Sequence, residues 1–123
     1  MIHITSTHAN FSVNDIEAAK DFYVNKLGLR LYKERKDNIV LQSTSESKVN
    51  IYLKEDHAPW NSTVLGIEVD DLESALTDLA ESGVTVEKVP GTDDKGIMHD
   101  TDTGDVAWCK DPAGNWVCIS TGV

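Results

Sequence analysis

Polar and apolar residues alternate from Thr7 onward: His8, Asn10 and Ser12 are polar, while Ala9, Phe11 and Val13 are apolar. A period of two belongs to a strand with one buried face. At Asn14-Asp15-Ile16-Glu17 the spacing changes. Ile16, Ala19, Phe22, Tyr23 and Leu27 then fall on one face of a helix. Asn14 is the expected N-cap, with Glu17 reaching back as in a capping box, and Gly28 ends the helix. Strands are predicted over residues 29–34, 39–43 and 48–54, separated by polar turns at 35–38 and 44–47. In the last of these, Val49, Ile51 and Leu53 point one way, and Asn50 and Tyr52 the other.

A connector over residues 55–62 carries Pro59 and Trp60, and beyond it the pattern restarts. A strand beginning at Val64 leads to a second helix start, with Asp70 as the expected cap and Glu73 three residues on. Leu72, Ala75, Leu76 and Leu79 form its apolar face, and Gly83 stops it. A strand over 84–89, a long polar loop over 90–103 and a hairpin of 105–110 with 115–121 complete the chain. The hairpin turns at Asp111-Pro112-Ala113-Gly114. Asn14, Asp15 and Glu17 precede Asp70, Asp71 and Glu73 by a constant 56 residues, and Gly28 precedes Gly83 by 55. Two such units in one order indicate an internal duplication. The fold class read from the pattern is α+β: two βαβββ modules, about 3–55 and 62–121, within a single domain over 1–123.

Composition narrows the function classes. The 123 residues include 21 acidic and 11 basic side chains, for a net charge of −10. Such a balance repels nucleic acid and anionic membrane surfaces. It suits solubility, and it also permits a cationic small ligand or partner. No apolar run approaches the roughly 20 residues that span a bilayer. Met1-Ile2-His3-Ile4 does not begin a secretory signal pattern, so a cytoplasmic location is expected. Cys109 and Cys118 lack paired metal-ligand spacing and read as small, partly buried thiols.

Several residues together carry a resemblance. They are His8 seven before Asp15, Ala19 with Phe22-Tyr23, and Leu27-Gly28-Leu29. In the second half they are Glu68-Val69-Asp70-Asp71-Leu72, Gly83-Val84 and Asp111-Pro112-Ala113-Gly114-Asn115. In this order the chain resembles the vicinal oxygen chelate superfamily of glyoxalases, bleomycin-resistance proteins and extradiol dioxygenases. Ala113 stands where the family's turn carries a second aspartate. The resemblance implies paired modules whose mixed sheets curl around an open cleft, and a homodimer, in some members with modules exchanged between chains.

It also implies four strand positions for a divalent ion in the metal-dependent members. Here they fall on His8, Val64, a residue near Tyr52, and Cys118. Valine cannot ligate, and tyrosine and thiol suit hard divalent ions poorly. No metal site and no cofactor is therefore expected. The strand faces turned from the helices are expected to line the cleft instead, through His8, Asn10, Ser12, Asn50, Tyr52, Glu68, Trp108, Trp116 and Cys118. Aromatic walls suit a flat or cationic small-molecule ligand, and they equally suit filling the cleft or supporting a dimer interface. His3, His57 and His99 are expected to be structural or exposed, and Trp60 to pack at the module junction or gate the cleft. The expected function is small-molecule binding in a polar-floored aromatic cleft. The alternatives are a metal-dependent lyase, isomerase or dioxygenase, and a metal-free enzyme using His8 as base.

Overall fold

The structure, a computed structural model, describes residues 1–122 of the chain. It divides into two compact units, Met1–Ala58 and a second beginning at Pro59. Each unit is a four-stranded mixed sheet with one helical segment.

In the first unit, β1 (His8–Val13) leads to α1 (Ile16–Lys20), which continues through a π-helical turn, Asp21–Lys26. The strands β2 (Arg30–Glu34), β3 (Asn38–Gln42) and β4 (Lys48–Leu53) follow. They lie in the order β1-β4-β3-β2, with β1 parallel to β4 and the other pairs antiparallel. Period-two alternation sends Phe11, Val13, Ile39, Leu41, Val49 and Ile51 into the core. Ile16, Ala19, Phe22 and Tyr23 meet them from the helix, and the Phe11 and Tyr23 rings lie 5.8 Å apart. Every residue of the edge strand β2 is exposed.

The second unit repeats the plan: β5 (Thr63–Glu68), α2 (Leu72–Glu81), β6 (Met98–Thr101), β7 (Gly104–Lys110) and β8 (Trp116–Ser120). Its order is β5-β8-β7-β6, again with only the β5–β8 pair parallel. Ala107, Cys109, Val117 and Ile119 are buried together with Leu72 and Leu79 of α2.

Three details differ from the sequence expectation. The helices are capped one residue later than expected. Asp15 accepts from Ala18 N and Asp71 from Ser74 N, each at 3.0 Å. Asn14 and Asp70 are equally good capping types, so adjacent cap formers hide the choice. With the caps shifted, Glu17 and Glu73 no longer stand at the capping-box position. Residues 84–89 form no strand, and only Glu87 bridges to Trp108. The missing strand is β6, within what reads as a polar loop. Finally, Trp60 is 66% exposed rather than packed at a junction.

Candidate functional site

The face of the first sheet turned from α1 carries a chain of side-chain amides. Asn38 Nδ2 donates to Asn50 Oδ1 at 2.9 Å, and Asn50 Nδ2 donates to Asn10 Oδ1 at 2.9 Å. Asn10 Nδ2 lies 3.2 Å from His8 Nδ1, which closes the chain at the exposed end of β1. The strand register explains the chain: Asn10 pairs with Asn50, and Asn50 with Val40, two residues along β3 from Asn38. His8 is thus held on one nitrogen by a neighbouring amide. Tyr52, opposite Ser12 on the same face, is 39% exposed. Ser12 Oγ lies 2.6 Å from His57 Nδ1, so His57 is a half-buried partner of β1 rather than a free loop histidine. Its Nε2 is buried and has no hydrogen-bond partner among the described residues.

In the second unit the corresponding face is aromatic. Trp108 pairs with Cys118 and Lys110 with Trp116 across β7 and β8. Trp108 Nε1 donates to Thr63 Oγ1 at 3.1 Å, and the Lys110 ammonium sits 4.7 Å over the Trp116 ring. Trp116 therefore already has a cation on one face. Trp108 and Trp116, with Asn61, Ser62, Thr63 and Val89, line a cavity of about 370 Å³. That is the low end of the size that takes a drug-like molecule. Cys118 Sγ stands over Gly66, where an added methyl would lie 3.2 Å from the sulfur. Burial raises the Cys118 thiol above its ordinary titration and pushes Cys109 up to about 12. Glu68, at the exposed end of β5, lies against Gly122.

The two parallel ladders can be matched position by position. Asn10 with Asn50 in the first unit corresponds to Gly66 with Cys118 in the second. A bulge in β5 puts Thr63, not Val64, opposite Trp116. Cys118 therefore answers to Asn50, and Tyr52 answers to Ser120. Of the four positions named from the resemblance, His8 carries an imidazole, Val64 has no donor atom, Tyr52 has a phenol and Cys118 has a thiol that burial keeps protonated, a poor set for a hard ion. Among the described residues, no three His, Cys, Asp or Glu side chains are gathered as metal ligands would be.

Several contributors have no signal in the local pattern. Asn38 reads as a turn residue, Val89 as part of a strand, and Lys110 only as a polar strand end. Their roles come from cross-strand pairing. The sequence signal that finds Lys110 is the hairpin turn at Asp111, which fixes it opposite Trp116.

Charge is divided as unevenly as the faces. Residues 1–58 carry eight acidic and eight basic side chains, whereas residues 59–123 carry thirteen acidic and three basic. The whole net charge belongs to the half that holds Trp108 and Trp116.

The family model of the Glyoxalase/Bleomycin resistance protein/Dioxygenase superfamily matches residues 5–119. The sequence matches no curated protein. Solved structures share the fold. An antibiotic-binding protein from Streptomyces sp. CB03234, TnmS3, superposes with a TM-score of 0.71 at 24% identity, over 98% of this chain and 100% of its own. The bleomycin-binding protein of Streptomyces verticillus, in complex with copper(II)-bleomycin, gives 0.70 at 22%, over 100% of each chain. A glyoxalase family protein from Enterococcus faecalis gives 0.68 at 21%, over 92% of this chain and 94% of its own. No helix among the described residues is long and apolar enough to cross a membrane.

Proposed function

The chain belongs to the Glyoxalase/Bleomycin resistance protein/Dioxygenase superfamily, and from that premise we propose that it binds a flat, cationic small molecule without a catalytic metal. The observation that carries this reading is the cavity walled by Trp108 and Trp116, set in the half of the chain that holds all the net negative charge. Aromatic faces attract a flat cation by stacking and by the ring quadrupole. The surrounding acidic side chains raise its local concentration. Asn61, Ser62 and Thr63 offer hydrogen bonds at the rim. In this reading Glu68 and Cys118 are ligand contacts in the second unit, and the polar sheet face of the first unit, His8, Asn10, Ser12, Asn50 and Tyr52, is a ligand-contacting surface in its own right. The similarity to an antibiotic-binding and a bleomycin-binding protein supports binding over turnover. The same reading has the protein act as a cytoplasmic homodimer, and the exposed Leu31 and Tyr32 on edge strand β2 suit a partner surface.

Tryptophan fluorescence against a panel of flat aromatic cations and their neutral isosteres tests it. A cation is expected to quench the emission saturably, and Trp108→Ala to weaken its binding roughly tenfold. Metal analysis runs beside it. A stoichiometric divalent ion lost on His8→Ala, together with turnover of a small carbonyl substrate, would replace this reading with a metal enzyme.

A further inference from the structure

Residues 88–97 leave the edge of the second sheet and come back to it. Glu87 N donates to Trp108 O at 2.8 Å, and Met98 pairs with Val106, two residues along β7. The excursion between them begins at the wall of the tryptophan cavity with Val89. Val89 O accepts from Thr92 Oγ1 at 2.7 Å and from Thr92 N at 3.3 Å. Next, Asp93 Oδ1 accepts from Lys95 N and Ile97 N, each at 2.9 Å, and Asp93 N donates to Ile97 O at 2.8 Å. One carboxylate oxygen thus folds the loop, and the other faces outward.

That second oxygen, Asp93 Oδ2, lies 2.8 Å from His99 Nε2. On the other side of the ring, His99 Nδ1 lies 3.3 Å from Asp105 Oδ2 of β7. Both nitrogens face carboxylates. A neutral imidazole has one N–H and one lone pair, so it satisfies one carboxylate and turns a lone pair on the other; the imidazolium donates to both.

We propose that His99 is a charged clasp that, as imidazolium, joins Asp93 to Asp105 and so seats the 88–97 excursion, with Val89 at its head, against the tryptophan cavity. His99 is then a positioning residue for the cavity wall, and the clasp opens when the ring loses its proton. The cavity's part in ligand binding rests on the function proposed above, whereas the clasp itself does not.

The charges around the ring favour the closed form. Asp93 faces it from the excursion and Asp105 from β7, and Asp70, Asp71 and Glu73 at the start of α2 share a 390 Å³ cavity with it. The nearby cation on the excursion, Lys95, is itself paired with Glu73. The hydrogen bond to Asp93 raises the His99 titration, with Asp105 adding to it. Asp93 is lowered to about 2, first by the Ile97 amide and then by His99. A raised histidine stabilises the folded arrangement below its unfolded pKa and loses that contribution as pH rises through the folded one. A lowered carboxylate loses its contribution only as pH falls through its own. The clasp is therefore closed from the acid range to beyond the ordinary histidine titration, and open above it.

Amide hydrogen exchange followed by NMR tests this on the intact chain, with no ligand needed. The probes are the Lys95 and Ile97 amides, and the controls are Ala113 and Asn115, which donate to Asp111 in the same manner. Between about pH 6 and about pH 9, protection factors at Lys95 and Ile97 are expected to fall roughly two- to fivefold, the range of an exposed ion pair, while the controls hold. His99→Gln should sit at the low value throughout, and His99→Lys, which keeps a charge, should abolish the pH dependence. Val89 methyl resonances should shift in step with His99. Equal protection in the native chain and His99→Gln, or a fall shared by the controls, overturns the clasp. A clasp that behaves as expected in a protein that binds no aromatic cation removes the proposed ligand reading and leaves this one standing.

Discussion

Asp111 shows how much one buried carboxylate can hold. It is 4% exposed and accepts from Ala113 N, Asn115 N and Asn115 Nδ2 at 3.0, 2.8 and 3.0 Å. The turn it closes sets β7 against β8, and with them the pairs Trp108–Cys118 and Lys110–Trp116. Ala113 enters this network through its backbone N–H alone, so its methyl side chain costs the turn nothing. Asp111→Ala strands buried donors and is expected to destabilise the protein by about 3 kcal/mol in urea melts. Asp111→Asn keeps one acceptor oxygen and should cost about half as much. Equal and small losses for both would mean the turn is held by its backbone bonds instead. The importance of Asp111 and Asn115 was legible from the turn sequence. The cation over Trp116 has no signal in the local pattern and follows only from the register of that turn, which sets Lys110 opposite Trp116, six residues on.

Among the elements, the two helices show a duplication that has drifted by one residue. From cap to terminating glycine there are 13 steps in the first unit, Asp15 to Gly28, and 12 in the second, Asp71 to Gly83. The extra residue is taken up as a π-helical turn, in which Leu27 N donates to Phe22 O, five residues back, at 3.0 Å. Both glycines keep the left-handed conformation, with φ of +93° and +80°. Deleting Asn25, an exposed residue of that turn, should restore an ordinary α-helix and leave Phe22, Tyr23 and Gly28 in place. The expected cost is within about 1 kcal/mol. Loss of cooperative thermal unfolding in this deletion would show that the wide turn is needed for packing. The slip itself can be read from the two offsets, but the conformation that absorbs it cannot, since either helix could have been the irregular one. The split edge of the second sheet was hidden for a different reason. Residues 84–89 have a strand's alternation, yet only Glu87 bonds to β7, because the chain departs at once into the excursion. Met98–Thr101 has one apolar residue, Met98, followed by three polar ones, so its β-pairing has no hydrophobic alternation to mark it.

For the whole molecule, the division of charge bears on what the cavity can hold. Thirteen acidic and three basic side chains in residues 59–123 make a field that reaches across the second unit at low salt and collapses at high salt. The Debye length falls from about 30 Å at 0.01 M to about 3 Å at 1 M, so salt removes the long-range part and leaves ring contact intact. A flat aromatic cation should therefore lose affinity for the Trp108–Trp116 cavity by roughly tenfold between about 0.01 M and about 0.5 M salt, mainly through slower association. Its neutral isostere should keep its affinity, or gain slightly as salt strengthens apolar burial. Stopped-flow fluorescence at both salt levels separates the two terms. If cation and isostere respond alike, the acidic half only keeps the chain soluble, and ring stacking alone selects the ligand. The Lys110 ammonium over Trp116 sharpens the comparison, since Lys110→Ala frees that ring face while removing one of three basic groups in the half. Cation binding to this variant should tighten at both salt levels, and the neutral isostere should be left nearly unchanged.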